Sequence, residues 1–446
     1  MKKLLLLPLG VLSAFGELAA PQDFGRLAAD VARSEAFARM SVDEFAAVEA
    51  RAVREMLDLA LLPPVVNTRP DARHLRDQLD FAMNGSLTWT PGGRLFAIWA
   101  GGEDDVKCFT VGTWSDDGGK TWHDTRFTVG DDRPIFRLGR APVYRTAISG
   151  DIWSAPDGTL RLYVHQAINM FDSRGALFEI VCRNPDAAEP VWESARLIGW
   201  GGVPSHPIVL GDGTWLLPNS ITDAGHPFYP ELDAVRGCGA LASSDLGRTW
   251  TPRGFVRPSG CGGYMEHSLV DLDGGAVRMY FRTDKGLRIS DSSDAGRSWS
   301  EPRADDHIRQ AVSRSQVIRL RDGRLVLVKN GDRIDKVIPH PNGGSRGSRN
   351  ELTAYLSDDR GRTWKGGLVL DERTDVAYPD VVEGSDGFVY VSYDHGRNSL
   401  TDEILFAKVR VEDILERKIV RPGSSLKNVI FRETAHRRHR RTYADF

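Results

Sequence analysis

Six stretches of the chain share one pattern of polar and apolar positions: a turn ending in Gly, preceded by Asp or Gly, followed by an alternating or wholly apolar run. They are TPGGRLFAIW, APDGTLRLYV, LGDGTWLLP, DLDGGAVRMYF, LRDGRLVLV and GSDGFVYVSY, starting at Thr90, Ala155, Leu210, Asp271, Leu320 and Gly384. The glycine supplies the positive φ of a tight hairpin, and the period of two puts one face of each following strand into a core. The starts lie 49 to 65 residues apart, enough for one four-stranded sheet with its loops. No segment between them carries the helical period of a βαβ unit. Six such sheets set radially predict an all-β fold, a six-bladed β-propeller, over residues 66–415.

Ahead of it, residues 21–65 turn helical in pattern, alanine-rich and charged, with a capping-box start at Ser41 and Glu44 and a stop at Pro63 and Pro64. The first twenty residues, beginning MKKLLLLPLGVLSAFG, have the layout of a secretory signal: two lysines, an apolar run too short to span a bilayer, and small residues at Ala14 and Gly16. They predict a secreted or periplasmic protein. Residues 416–446 become polar and end in HRRHRRTYADF, a solvated basic tail.

A second repeat runs out of phase with the first. SDDGGKTW, SSDLGRTW, SSDAGRSW and SDDRGRTW start at Ser115, Ser243, Ser292 and Ser357, and NPDAAEPVW at Asn184 is a degenerate copy. Catalysis needs an aspartate pair once, whereas a structural device recurs. The pattern is that of a turn: Asp accepts backbone N–H groups, Gly takes positive φ, Ser or Thr adds a local bond, and Trp plugs the neighbouring sheet. A calcium loop would need more oxygen ligands and a closing Glu.

Composition adds little constraint. With 446 residues, 41% hydrophobic, and a net charge of −3, nothing points to nucleic acid or an anionic membrane as partner. The four cysteines, Cys108, Cys182, Cys238 and Cys261, show no C-x-x-C spacing. No metal site can be built from the sequence, and no cofactor is called for.

Repeated Asp boxes on a six-bladed propeller resemble the bacterial sialidases (neuraminidases) and their BNR-repeat relatives, over about Phe81 to Ile414. The boxes also occur in propeller lyases and in non-catalytic propellers, so function rests on the site. A sialidase must stabilise an oxocarbenium-like centre beside a carboxylate. Arginines hold that carboxylate, a Tyr activated by a Glu attacks, and an Asp serves as acid/base. The resemblance of YMEHSLVDLDGGAVRMYFRTDKG makes Glu266 the general base and Arg282 a carboxylate-binding arginine. That of SRNELTAYLSDDRGRTW makes Arg349 a second arginine, with Arg346 a rival, and that of DVAYPDVVEGSDGFVYVSYD makes Tyr378 the nucleophile. The acid/base falls in WAGGEDDVKCF, where Asp104 and Asp105 both qualify and Glu103 is close by.

One departure stands out. Where a strict sialidase has F-R-I-P, this chain has FAMNGSLTW, with Met83 and Asn84 in place of Arg and Ile. Arg76, Arg145 or Arg314 could replace the lost guanidinium. A looser sialidase-like branch, resembled through GVPSHPIVLGDGTWLLP and AYPD…YDHGR, adds Arg397, His206 and Asp380 as pocket candidates. The expected function is an exo-acting glycoside hydrolase that releases a terminal sialic acid or related acidic sugar, with retention. A uronate-directed polysaccharide lyase using His206 or His267 with Tyr378, and a non-catalytic glycan-binding propeller, are the alternatives.

Overall fold

The computed structural model describes residues 57–434 apart from 139–140, 169–174, 222–229, 262–264, 306–307, 332–336, 340–344, 348 and 398–401. The signal-like start, most of the helical segment and the basic end therefore lie outside the described residues. What is described of the helical segment is a short 3-10 turn, Asp58–Leu61. It is held on blade two by Gln166, whose side-chain amide donates to the carbonyls of Ala60 and Leu62 at 2.7 Å each.

Six antiparallel sheets follow one another along the chain, each running outward from its first strand. Blade one gains a fifth strand at its outer edge from Val66–Asn67. The innermost strands are Met83–Trp89, Arg145–Ser154, Ile208–Val209, Met265–Asp271, Gln316–Arg319 and Val376–Glu383, and they surround the central channel. Each glycine-bearing turn of the first repeat joins an innermost strand to the next strand, as its pattern predicts. Two small hairpins, Phe136–Leu138 with Ala141–Val143 and Val337–Pro339 with Ser345–Gly347, stand outside the blades.

The Asp boxes are turns between third and fourth strands. In the first, Ser115 Oγ accepts the Gly119 N–H at 2.9 Å, while Asp117 accepts the Thr121 N–H at 2.9 Å and its hydroxyl at 2.6 Å. The other three copies repeat this bonding. Bonds from Thr249 and Ser243 hold Asp245 down at about 2, so it is an ionised acceptor and not an acid. The box tryptophans tie blades together: Trp122 packs edge-on to Phe406 of blade six, Trp250 to Tyr163 of blade two, and Trp364 to Tyr280 of blade four. They do so half-buried.

The propeller does not end at residue 415. The strand Ser425–Arg432 pairs with Glu403–Val409 as the fourth strand of blade six, after a short helix, Val411–Glu416. Ile430 and Phe431 are wholly buried, and Phe431 stacks on Trp99 of blade one at 5.7 Å. Ring closure therefore depends on this strand, where the sequence put a polar tail. Among the described residues, no strand is shared between the first and last blades. They are joined by packing and by carboxylates of blade six that accept backbone N–H groups of blade one: Asp402 from Ala82, Asp394 from Asn84 and Asp380 from Leu87. No helix among the described residues is long and apolar enough to cross a membrane.

Candidate functional site

All of the chemistry-bearing residues lie at the channel end opposite the Asp boxes, where the innermost strands begin. There the strands are irregular. The pairing of blade four slips between Met265 and Ser268, and that of blade six between Ala377 and Asp380. Glu266 and Tyr378 sit in these bulges with φ of 51° and 56°, a left-handed conformation that costs a non-glycine residue on the order of 1 kcal/mol or more. The bulges turn both side chains toward each other across the channel mouth.

The result is a compact cluster. The Tyr378 hydroxyl donates to Glu266 Oε1 at 2.7 Å. Arg282 Nη1 donates to Glu266 Oε2 at 2.7 Å and to the Tyr378 oxygen at 3.1 Å. The guanidinium carbons of Arg349 and Arg397 lie 5.2 Å and 4.3 Å from the centre of the Tyr378 ring. Burial pushes the Glu266 carboxyl up, but Arg282, the Tyr378 hydroxyl and Arg349 outweigh it and hold it below the usual carboxylate range. Glu266 is thus an ionised acceptor already bonded to the phenol proton. The Glu266 and Arg282 side chains are each 17% exposed, which keeps the cluster reachable from the mouth.

Asp104 and Asp105 stand in the loop after Leu95–Gly101 of blade one. Asp104 is exposed, and its Oδ2 lies 3.8 Å from Arg397 Nη1. Asp105 is half-buried and accepts the Lys107 N–H at 2.7 Å. Burial pushes its carboxyl up, and Glu103 adds to this against the pull of that N–H and of the Lys107 charge. Glu103 itself pairs with Lys107 at 3.2 Å.

Three sequence candidates belong to a different layer. One step deeper in the channel, His206 Nδ1 lies 3.0 Å from Asp151 and its Nε2 3.0 Å from Asp380. Arg314 Nη2 donates to Asp380 Oδ1 at 3.0 Å and to the Gly85 carbonyl at 3.1 Å. Ser86 bonds both carboxylates, at 2.7 Å and 3.1 Å. Burial opposes the charge on His206, yet the two aspartates raise its pKa well above the ordinary value. An imidazolium and a guanidinium thus balance two carboxylates, tying blades one, two, three, five and six. Asp151, His206 and Asp380 are close enough to suggest a metal site, but the two ring nitrogens point to different carboxylates, which is the geometry of a bridging imidazolium. His206, Arg314 and Asp380 are therefore partnered with each other and not with Tyr378.

Other expectations resolve similarly. Arg76 donates to the carbonyls of Trp122, His123 and Ile430, at the ring closure. Arg145 begins the innermost strand of blade two, and no bond to Tyr378 or to Glu266 is formed by it. The side chain of Arg346 lies outside the described residues. His267 Nε2 is bonded to the Gly239 carbonyl at 2.7 Å, and burial pushes its pKa down to about 4. One buried acid near the cluster escaped the sequence: Asp394, paired across the strands with Ala377 and accepting the Asn84 N–H at 3.0 Å. Only its place in YDHGR could have signalled it.

The sequence matches the BNR repeat-like domain over residues 93–391, two thirds of the chain. The chain belongs to the BNR repeat-like family. No curated protein matches it. Among solved structures, the intramolecular trans-sialidase of Ruminococcus gnavus, in complex with oseltamivir carboxylate, superposes with a TM-score of 0.56 at 13% identity, covering 78% of this chain and 97% of that one. NanB with Optactamide gives 0.53 at 14%, covering 79% and 71%; NanB is a sialidase of Streptococcus pneumoniae. A Dyadobacter fermentans protein of unknown function gives 0.50 at 16%, covering 75% and 94%. At these identities the likeness establishes the fold: this BNR repeat-like chain is a sialidase-like six-bladed propeller.

Proposed function

We propose that the protein is an exo-acting, retaining glycoside hydrolase that removes a terminal sialic acid or related acidic sugar, with Tyr378 as nucleophile. The observation that carries this is the 2.7 Å bond from the Tyr378 hydroxyl to the ionised Glu266, inside a ring of guanidinium groups. A neutral phenol can approach an anomeric carbon that bears a carboxylate, where an anionic nucleophile would be repelled. Arg282 and Arg349 hold the sugar's carboxylate, and Arg282 also faces the charge that develops on the phenol oxygen.

Asp105 is the acid/base, with Asp104 the alternative in the same loop. In the first half-reaction Tyr378 attacks the anomeric carbon as Glu266 takes its proton, and the aspartic acid protonates the departing glycosidic oxygen. A tyrosyl-glycoside results. In the second, the aspartate takes a proton from water, the resulting hydroxide equivalent attacks the anomeric carbon, and Tyr378 leaves and recovers its proton from Glu266. Two inversions give net retention. The upward push on Asp105 favours the protonated form that the first step needs.

The lyase alternative loses support from the bonding of its histidines. His206 is a charged bridge between two carboxylates and His267 is bonded to a carbonyl, so neither stands free beside Tyr378 as a base. The signal-like start supports release to the periplasm or the exterior, where such glycans are met. The test is proton NMR of a sialoside digest. The proposal expects the released sugar to appear first as the same anomer as the bound one; first appearance of the opposite anomer, or an unsaturated uronate from a uronate glycan in place of it, would overturn it.

A further inference from the structure

Far from the channel mouth, the short 3-10 turn Ala72–His74 leads into blade one. His74 is 3% exposed, and among the described residues neither of its ring nitrogens has a hydrogen-bond partner. Its ring packs on Phe109, with 4.5 Å between the ring centres. An imidazole buried in this way without a bond is costly.

The imidazole faces the loop that follows the strand Phe127–Val129 at the outer edge of blade one. There His74 Nε2 lies 3.5 Å from Asp132 Oδ1, and Asp131 presents a second carboxylate. One ligand atom from each of the three side chains falls within 4.8 Å of the other two. Both carboxylates are 33% exposed, so an ion can reach them from solvent.

A guanidinium holds the two carboxylates in place. Arg73 donates to Asp131 at 2.5 Å and to Asp132. That leaves the imidazole out, and Arg73 has another seat: its Nε is 3.5 Å from Asp71 Oδ2. Arg133 fixes Asp131 from the other side at 2.6 Å and reaches Asp71 at 3.3 Å. Three carboxylates thus meet two guanidinium groups, which leaves one negative charge over. A metal ion is the partner that would use the imidazole and both carboxylates together.

We propose that His74, Asp131 and Asp132 form a divalent-cation site, selective for zinc, that ties the segment before blade one to the outer loop of that blade. An imidazole nitrogen suits zinc, whereas calcium and magnesium take sets of oxygen ligands. Three protein ligands leave the fourth tetrahedral position to water. As the ion enters, Arg73 turns to Asp71 and gives up the two carboxylates. The site is independent of the sugar chemistry at Tyr378.

The experiment is calorimetric titration of the EDTA-stripped full chain with zinc and, separately, with calcium, with a thermal melt for every variant. Histidines 436 and 439 of the basic end also take zinc, so every chain carries His436→Ala and His439→Ala. Zinc is expected to bind at one equivalent per chain and to raise the melt by about 3 °C at a hundred times its dissociation constant, while calcium gives neither effect. Asp132→Asn keeps the shape of the side chain and should weaken zinc by more than the roughly tenfold that loss of an outer partner costs. His74→Gln should do the same. Arg73→Gln should instead tighten zinc severalfold, because the competing guanidinium is gone, whereas a purely structural cluster gains no affinity from that change. Zinc binding that is unaltered in Asp132→Asn, or weakened in Arg73→Gln, overturns the proposal, as does calcium binding as tight as that of zinc.

Discussion

Two layers of the same channel, built from the same innermost strands, use arginine and carboxylate to opposite ends. Tyr378 and Asp380 are two residues apart on one strand, and Asn84 and Ser86 on another. In the deeper layer, His206 and Arg314 are balanced by Asp151 and Asp380, and every one of these side chains meets another of the set. In the upper layer, Arg282, Arg349 and Arg397 gather around one phenol, while Arg282 Nε, Arg397 Nη1 and Asp394 Oδ1 are buried without a hydrogen-bond partner. The lower layer balances its two positive groups with two carboxylates, although His206 Nε2 and Arg314 Nε are also buried without a hydrogen bond. The upper one gathers three guanidinium groups around a single ionised glutamate and one phenol, and its two central residues hold a left-handed backbone conformation. Balance of charge, not residue type, separates structure from site.

The sharpest way to break this contrast is to change one oxygen in each layer. In the upper layer, Tyr378→Phe is expected to lower turnover of a fluorogenic sialoside by at least about a thousandfold with an unchanged melt, because the phenol oxygen is the nucleophile and carries no packing. A wild-type rate in that variant would move Tyr378 into the structural class. Glu266→Gln comes next, with a loss of about a hundredfold or more, since an amide cannot take the phenol proton. The double variant should be little worse than the worse single one, because the two act as a unit; additive losses would separate them.

In the lower layer the effect should fall on stability. His206→Gln is expected to cost about 3 kcal/mol, the order seen when one partner of a buried ion pair is removed, while whatever remains folded keeps its turnover. The pH dependence has a definite sign. The His206 pKa is raised in the folded state, so its contribution is fully present below the unfolded value of about 6.5 and is lost as pH rises through the folded one. Asp380 is held below the usual range: burial opposes this, but the His206 and Arg314 charges prevail. Its contribution is present above the unfolded value and lost as pH falls through the folded one. Denaturant midpoints should therefore decline toward alkaline pH in the wild type and stay flat there in His206→Gln. A variant that melts normally but no longer turns over would place His206 with the site.

The smallest effect belongs to the Asp boxes. Trp250→Ala should cost about 2 to 3 kcal/mol, toward the low end for a large aromatic because the ring is only half-buried, with the activity of the folded fraction unchanged. Normal stability with lost turnover would contradict the structural role of the boxes.

How far the sequence showed all this depends on how locally each feature is encoded. Turns such as LRDGR and boxes such as SSDLGRTW are short and repeated, so the six blades were visible in them. Glu266, Arg282, Arg349 and Tyr378 could be singled out only through the family resemblance of their segments, and the structure brings the four side chains together. The strand Ser425–Arg432 was not legible, since it follows a polar stretch and buries fully just Ile430 and Phe431 near its end. His206, Arg314 and Asp380 looked like ligands because partnership across the channel leaves no trace in neighbouring residues. Asp394 was obscured similarly, since it meets Asn84 from 310 residues away. Nor does any sequence signal announce a left-handed φ at a glutamate or a tyrosine.

The central claim is that Tyr378 forms a bond to the sugar, and trapping that bond tests it most directly. A 2,3-difluorinated sialic acid slows both half-reactions and lets the intermediate accumulate. Intact-protein mass spectrometry followed by peptide mapping should find one equivalent of the sugar on Tyr378, and none on the Tyr378→Phe chain. An adduct on Glu266 or another carboxylate, or steady turnover of a sialoside with no adduct at all, would contradict the account.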